Sequence, residues 1–309
     1  MQRRDIFTLE RLRYSKSLFW MGVAAAVFAL ALVPLWLIDP RTVGGVSTWE
    51  KPLKFFISSV IFALTYSWLS SFITKNQRAV KIAGWAILVA FLVELSLITG
   101  VAAFAQTSHF NVSSPLAITI WALMAVFIST VLVATVILSL LIIRDRSQPA
   151  EVRLGLGLGS INTSIGMALA FLMTSPTANQ LADFQGIAGA HSVGVADGGP
   201  GLPFFGWSTV AGDLRVGHFF GLHAIQVAIV LVAIALSLPK ATRIPALIVG
   251  NLTYLGFVGL TTFQALRAEP FSNPSELTLL SFVSLIGLAA IVFVVWSIAR
   301  GRKLIRSSR

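Results

Sequence analysis

The fold class this 309-residue chain predicts is all-α integral membrane: a bundle of eight transmembrane helices with both termini cytoplasmic. Three observations predict it. Hydrophobic residues make up 56% of the chain and charged residues only 11%, where a soluble domain uses roughly 25% to coat itself. Mean hydropathy is +0.85. The 23 Lys and Arg residues fall in short gaps between apolar runs, so the net charge of +11 reads as membrane topology rather than nucleic-acid binding. Cysteine is absent, which excludes a disulfide framework, a thiolate metal site and a cysteine nucleophile.

Crossing the hydrocarbon takes about 20 apolar residues as helix. Eight stretches qualify: 18–38, 55–73, 80–104, 117–143, 154–174, 216–238, 244–266 and 278–299. Their apolar character runs all round rather than alternating, which argues against a β-barrel. The first follows a basic tail as a signal peptide would. It is too long for a signal core, and no small-x-small cleavage site precedes Asp39, so it reads as a retained span. The fifth contains Gly155, Gly157 and Gly159, whose spacing suits close helix packing and not a phosphate loop.

Orientation follows from the basic residues. The N-tail holds Arg3, Arg4, Arg11, Arg13 and Lys16, and the gap after the second span Lys75, Arg78 and Lys81. Arg144, Arg146 and Arg153 follow the fourth span, and Lys240 and Arg243 the sixth. Arg300, Arg302, Lys303, Arg306 and Arg309 close the C-tail. The opposite side has only Arg41, Lys51, Lys54, Arg215 and Arg267. Basic loops stay in the cytoplasm, so a bacterial inner membrane with both ends inside is expected. Trp20, Trp68, Trp85 and Trp296 fall near the inner interface, Trp36 and Trp121 near the outer. The chain reads as one membrane domain, 1–309, with a single long, glycine-rich connection on the outer side, 175–215. Long loops of this kind are usually functional or disordered.

The outer side also carries the chemistry. Its share includes all four histidines (His109, His191, His218 and His223) and seven of the 12 acids. Glu94 is the one carboxylate well inside a span, roughly 15 Å below the outer boundary by helical rise. A mid-membrane carboxylate costs about 2.5–3.5 kcal/mol on insertion scales and needs a partner. His223 and Gln226 on the sixth span fall at about 10 and 15 Å depth. Treated as one straight helix at about 100° per residue, that span places Arg215, His218, His223 and Gln226 within a sector of roughly 140°, a polar face turned inward. Asp213 has the position of that helix's N-cap. His218 and His223 are five apart, not the three or four that one metal ion prefers. Lys51 and Lys54 lie where insertion keeps positive charge scarce, so they either snorkel or bind an anion. Ser47 with Glu50, and Asn273 with Glu276, have capping-box spacing.

No enzyme class is selected by motif. The chain has no HExxH, no GxSxG elbow, no Walker loop and no lysine inside a late span. Three segments, Lys51-Pro-Leu-Lys-Phe55, Ser108-His-Phe-Asn111 and Leu202-Pro-Phe-Phe-Gly-Trp-Ser208 running on to Gly212-Asp-Leu-Arg-x-x-His-Phe-x-Gly-Leu-His-Ala-x-Gln226, resemble a family of bacterial multi-pass membrane proteins with no assigned activity. That family's pattern often has Gln and Arg between the Glu and the Ser-His-Phe-Asn, where this chain has Val101 and Phe104. The resemblance implies one outer-face site and no particular substrate.

The expectation is a polar cavity open to the outer side, lined by spans two, three and six under the long loop. Its candidate ligand contacts are Glu94, Arg215, His223, Gln226, Lys51, Lys54, Asn111 and Asp213. His109, His218 and His223 are the candidate metal ligands. A small molecule or ion entering from outside, with a metal ion or haem as possible cofactor and redox or hydrolytic chemistry, is the leading reading. The rivals are a proton-coupled transporter with Glu94 as carrier and Asn162 and Asn251 along its path, and a structural subunit. The lipid bilayer is the other expected partner.

Overall fold

The computed structural model describes Ile6 and residues 8–307, with side chains as far as Gly301. Arg3, Arg4 and Arg309 lie outside the described residues, as do the side chains of Arg302, Lys303 and Arg306. Among the described residues seven helices are long and apolar enough to cross a membrane, and a bent pair passes the same test when its two halves are taken together. After the short α1 (Leu9–Leu12) these are α2 (Lys16–Ile38), α3 (Glu50–Ser70), α4 (Gln77–Ala103), α5 (Pro115–Arg144) and α6 (Ala150–Ala168). A 3₁₀ segment, Leu169–Met173, extends α6. The long connection holds α7 (Ala178–Ala182) and β3 (Ser192–Val193), which pairs with β4 (Gly212–Asp213). The bent pair is α8 (Leu214–Leu222) with α9 (Ala224–Ala235), followed by α10 (Lys240–Leu266) and α11 (Glu276–Ser307). β1 (Thr42–Val43) and β2 (Val46–Ser47) form a small hairpin between α2 and α3.

We call the side bearing the loops 71–76, 145–149 and 236–239 the basic face, and the opposite side the far face. On the basic face, Trp20 and Trp85 are exposed as interfacial anchors are, but Trp68 is buried and donates Nε1–H to the Ile6 carbonyl at 2.9 Å. Neither expected capping box forms. α3 begins at Glu50 with Trp49 as cap. At α11 the carboxylate of Glu269 accepts from the Ser275 N–H and from Thr278 Oγ1 instead. The helix there is anchored through the preceding loop.

The sixth span corrects the straight-helix expectation. It bends by 44° at His223. An inserted side chain is one of the recognised causes of a sharp bend, and Thr163 of α6 enters the ladder here. Its hydroxyl accepts from the Ile225 N–H at 3.0 Å and reaches the Leu222 carbonyl at 3.4 Å, while Tyr254 Oη donates to the Phe220 carbonyl at 2.8 Å. Just above the bend α6 and α8 meet backbone to backbone, and a Cβ at Gly166 would collide with Gly221. Lower on α6, Gly155 and Gly159 admit Val232, Leu247 and Ala228, which is the close packing their spacing suggests.

The main apolar core lies toward the basic face, around Leu18, Tyr66, Phe72, Ile87, Leu138, Leu156, Val232 and Leu247. In the far half it gives way to two smaller clusters. One joins Ala29, Leu32, Trp49, Leu53 and Leu95, and the other Phe110, Met173, Leu214 and Ala265.

Candidate functional site on the far face

The site is assembled by backbone ties between far-face loops. The Ala188 N–H donates to the Phe110 carbonyl, the Ala190 N–H to the Met173 carbonyl and the Leu214 N–H to the His191 carbonyl, at 2.8, 3.0 and 2.9 Å. These bonds hold His109, His191 and the start of α8 together.

Three of the far-face cations are consumed locally. Arg41 pairs with Asp39 at 2.6 Å, and Lys54 with Glu50 at 2.5 Å across one turn. Arg215 grips Asp213 through Nε (2.9 Å) and a terminal nitrogen (2.6 Å), and the same nitrogen donates to the Gly206 carbonyl. Asp213 is fully buried, accepts from the Arg215 and Ser208 N–H groups, and caps α8. Its role is therefore structural. Asn111 is likewise spent on a turn, accepting from the Ser113 N–H and hydroxyl at 3.1 and 2.7 Å.

Lys51 differs. It has no salt-bridge partner among the described residues, and its ammonium lies 2.9 Å from His109 Nδ1. An ammonium has only protons to give. His109 Nδ1 must therefore accept, which places the imidazole proton on Nε2. Burial, then the charges of Lys51, His191 and His218, hold His109 well below its ordinary 6.5. His218 has the opposite tautomer. Its Nδ1 lies 2.8 Å from the Gly166 carbonyl, which can only accept, so Nδ1 carries the proton and Nε2 the lone pair.

Glu94, on α4, is 3% exposed, and its Oε2 is buried without a hydrogen bond. It feels the charge of Lys51, yet the two are not within salt-bridge distance. No hydrogen bond links it to the sixth span, contrary to the depth argument. Gln226 instead donates to Thr65 of α3 at 3.0 Å, leaving its own Oε1 buried and unpartnered. His223 sits at the bend with its ring 4.6 Å from that of Phe219. Its side chain stays beside that of Gln226, one turn on.

The structure thus brings Lys51 within range of the charges of Glu94, His109, His191 and Arg215, and His191 within range of those of His109, His218 and Arg215. Among the described residues no three His, Asp or Glu side chains are grouped to hold a metal ion, so His109, His218 and His223 are not one three-ligand site. His191 and Asp197 belong to the group although no sequence signal marks them. They lie six apart in an irregular loop, and only the folded backbone sets them against α8.

No family model matches the chain, and neither a curated protein nor a solved structure is similar to it.

Proposed function

We propose that this is a multi-pass protein of the bacterial cytoplasmic membrane, basic face inside, whose far face binds a small polar ligand from outside. One observation carries the reading. Lys51 and the Glu94 carboxyl, both in the far half, are close enough to interact but make no ion pair with each other. An unpaired buried charge is costly, so a separation of this kind is tolerated where a ligand or ordered water completes it. The ligand has an acceptor group for the Lys51 ammonium. The donor group that Glu94 lacks belongs to the ligand or its water.

Binding is favoured over transport by what lies below. Ser160 bonds Tyr66 Oη at 3.1 Å and Ser139 Oγ at 2.6 Å, Asn162 donates to the Asn251 carbonyl at 2.9 Å, and Asn251 to that of Leu247 at 2.8 Å. These mid-membrane polar groups are used in holding helices together, and the apolar core closes the bundle beneath them. The family resemblance carried by Lys51–Phe55, Ser108–Asn111 and Leu202–Gln226 is part of the same proposal.

Reporter fusions test the orientation: those within 144–153 and after 309 read as cytoplasmic, and those within 175–215 as external. Thermal unfolding of the purified protein with millimolar small carboxylates tests the site. A stabilisation seen in the parent and lost in Lys51→Met supports it. No stabilisation, or an equal one in Lys51→Met, overturns it, and stoichiometric metal or a haem absorption band returns the site to the cofactor reading.

A further inference from the structure

Independently of the far-face site, we propose that α4 carries a binding site for an anionic phospholipid at the basic face, with the lipid phosphate on Arg78 and Lys81 and an acyl chain along the helix below them. A groove of about 660 Å³ lies there, lined by Arg78, Lys81, Ile82, Trp85, Ala86 and Val89. These positions recur at intervals of three and four residues, so they form one stripe along the helix. From Arg78 to Val89 the helix rises roughly 16 Å, about half of the 30 Å hydrocarbon thickness. The stripe is one leaflet deep. Ile82, Trp85 and Val89 are 60%, 61% and 47% exposed, so among the described residues no other helix covers them, and in a bilayer they face lipid.

The rim of the groove selects the charge of the lipid. Other arginines of the basic face are engaged: Arg11 with Ser71 Oγ at 3.0 Å, Arg153 with the Ile143 carbonyl at 2.8 Å and Arg243 with the Leu238 carbonyl at 3.0 Å. Arg78 and Lys81 are exposed and make no ion pair among the described residues. They also stand where the helix opposes them. α4 opens with Arg78 in its first turn, no acid beside it and no capping bond from the Asn76 side chain, and the positive end of a helix macrodipole repels a cation. A phosphodiester relieves this, held by a guanidinium and an ammonium one turn apart. Below the rim, the Trp85 indole has the amphipathic character that seats at the headgroup boundary, and Ile82, Ala86 and Val89 offer apolar surface to a chain. A soluble anion leaves that apolar length unused. A zwitterionic lipid brings its own cation to the phosphate. A second copy of the chain, inserted the same way round, sets basic face against basic face.

Tryptophan quenching tests the site. The full-length protein is placed in phosphatidylcholine nanodiscs with a minor fraction of phosphatidylglycerol, or of phosphatidylcholine, brominated high on one acyl chain. The Trp85 signal is the difference between the parent and Trp85→Phe. It is expected to be quenched at a mole fraction on the order of tenfold lower for phosphatidylglycerol, the size of preference that two cations beside one phosphate give. Arg78→Gln with Lys81→Gln, recovered at the parent's gel-filtration volume, is expected to abolish the preference, and Arg78→Lys with Lys81→Arg to keep it. Arg144→Gln with Arg146→Gln, on the same face, is expected to keep it too. If the first pair is not recovered, Lys81→Gln alone is read, and a partial loss is expected. Equal quenching by the two lipids in the parent overturns the proposal. So does a preference that survives the loss of both Arg78 and Lys81, or one lost equally with Arg144 and Arg146, which assigns it to the charge of the whole face. A dimer whose Trp85 neither lipid quenches overturns it in favour of a second copy.

Discussion

Asp145, in the basic-face loop after α5, and Glu94, in the far half of α4, are equally buried at 3% exposure. Their surroundings are opposite. Asp145 accepts from the Thr74 N–H and hydroxyl at 2.6 and 2.8 Å, from the Lys75 N–H at 3.3 Å, and from the Ser147 N–H and hydroxyl at 3.1 and 2.6 Å. It fastens the α3–α4 connection to the α5–α6 connection. Glu94 accepts nothing at Oε2. Where polar groups are saturated from within the chain they act as fasteners, and where one is left open its partner comes from elsewhere. The same contrast separates Asn251, spent on carbonyls, from Lys51, held only against an imidazole.

The largest expected effect is on the scaffold beneath the open region. Gly166→Val drives a side chain into the Gly221 backbone and shifts the carbonyl that orients His218. A loss above about 3 kcal/mol is expected, read as failure to recover monodisperse protein or a large drop in Tm. Asp145→Ala leaves the loop donors without an acceptor and is expected to cost about 2–3 kcal/mol. Burial raises the Asp145 carboxyl, but bonds from Ser147 and Thr74 outweigh it and hold it below its ordinary 3.8. A lowered folded-state value gives stability that is complete above 3.8 and lost as pH falls below it. The parent's Tm is therefore expected to fall below pH 4 more steeply than that of Asp145→Asn.

Thr163→Val sharpens the comparison at the bend, where one hydroxyl serves both sides of a broken ladder. About 1–1.5 kcal/mol is expected, measured as Tm against the parent. The smallest effect is the most informative. Glu94→Gln keeps the shape and removes the charge, and with no internal hydrogen bond to lose it is expected to change stability by less than about 1 kcal/mol. A loss as large as that of Asp145→Ala would show that Glu94 is a fastener too and end the contrast.

Eight apolar runs are legible because hydrocarbon demands length and hydropathy, properties a window of sequence contains. The bend at His223 is not, because its cause, Thr163, comes from another helix and carries no mark of its role. Lys51, Glu94, His109, His218 and Arg215 could be placed on one side by counting basic loops. Which of them were already engaged could not: Asp213 takes Arg215, and a turn takes Asn111. Asp197 and His191 were missed as a pair because loop conformation, set by contacts to Met173, Phe110 and α8, leaves no periodic trace.

Helix α11 has only 6% of its apolar window buried and packs chiefly on α10. A helix surrounded by acyl chains is constrained in composition and hardly at all in shape. Leu, Ile, Val and Phe are nearly interchangeable at Val283, Ile286, Ile291 and Val295, all exposed, whereas a charge there is not. In a saturation mutagenesis experiment α11 would behave as a hydropathy gauge, tolerant of apolar exchange at most of its positions. α6, wedged against α5, α8, α9 and α10, would behave as a fitted part in which the removal or addition of single methyl groups is felt.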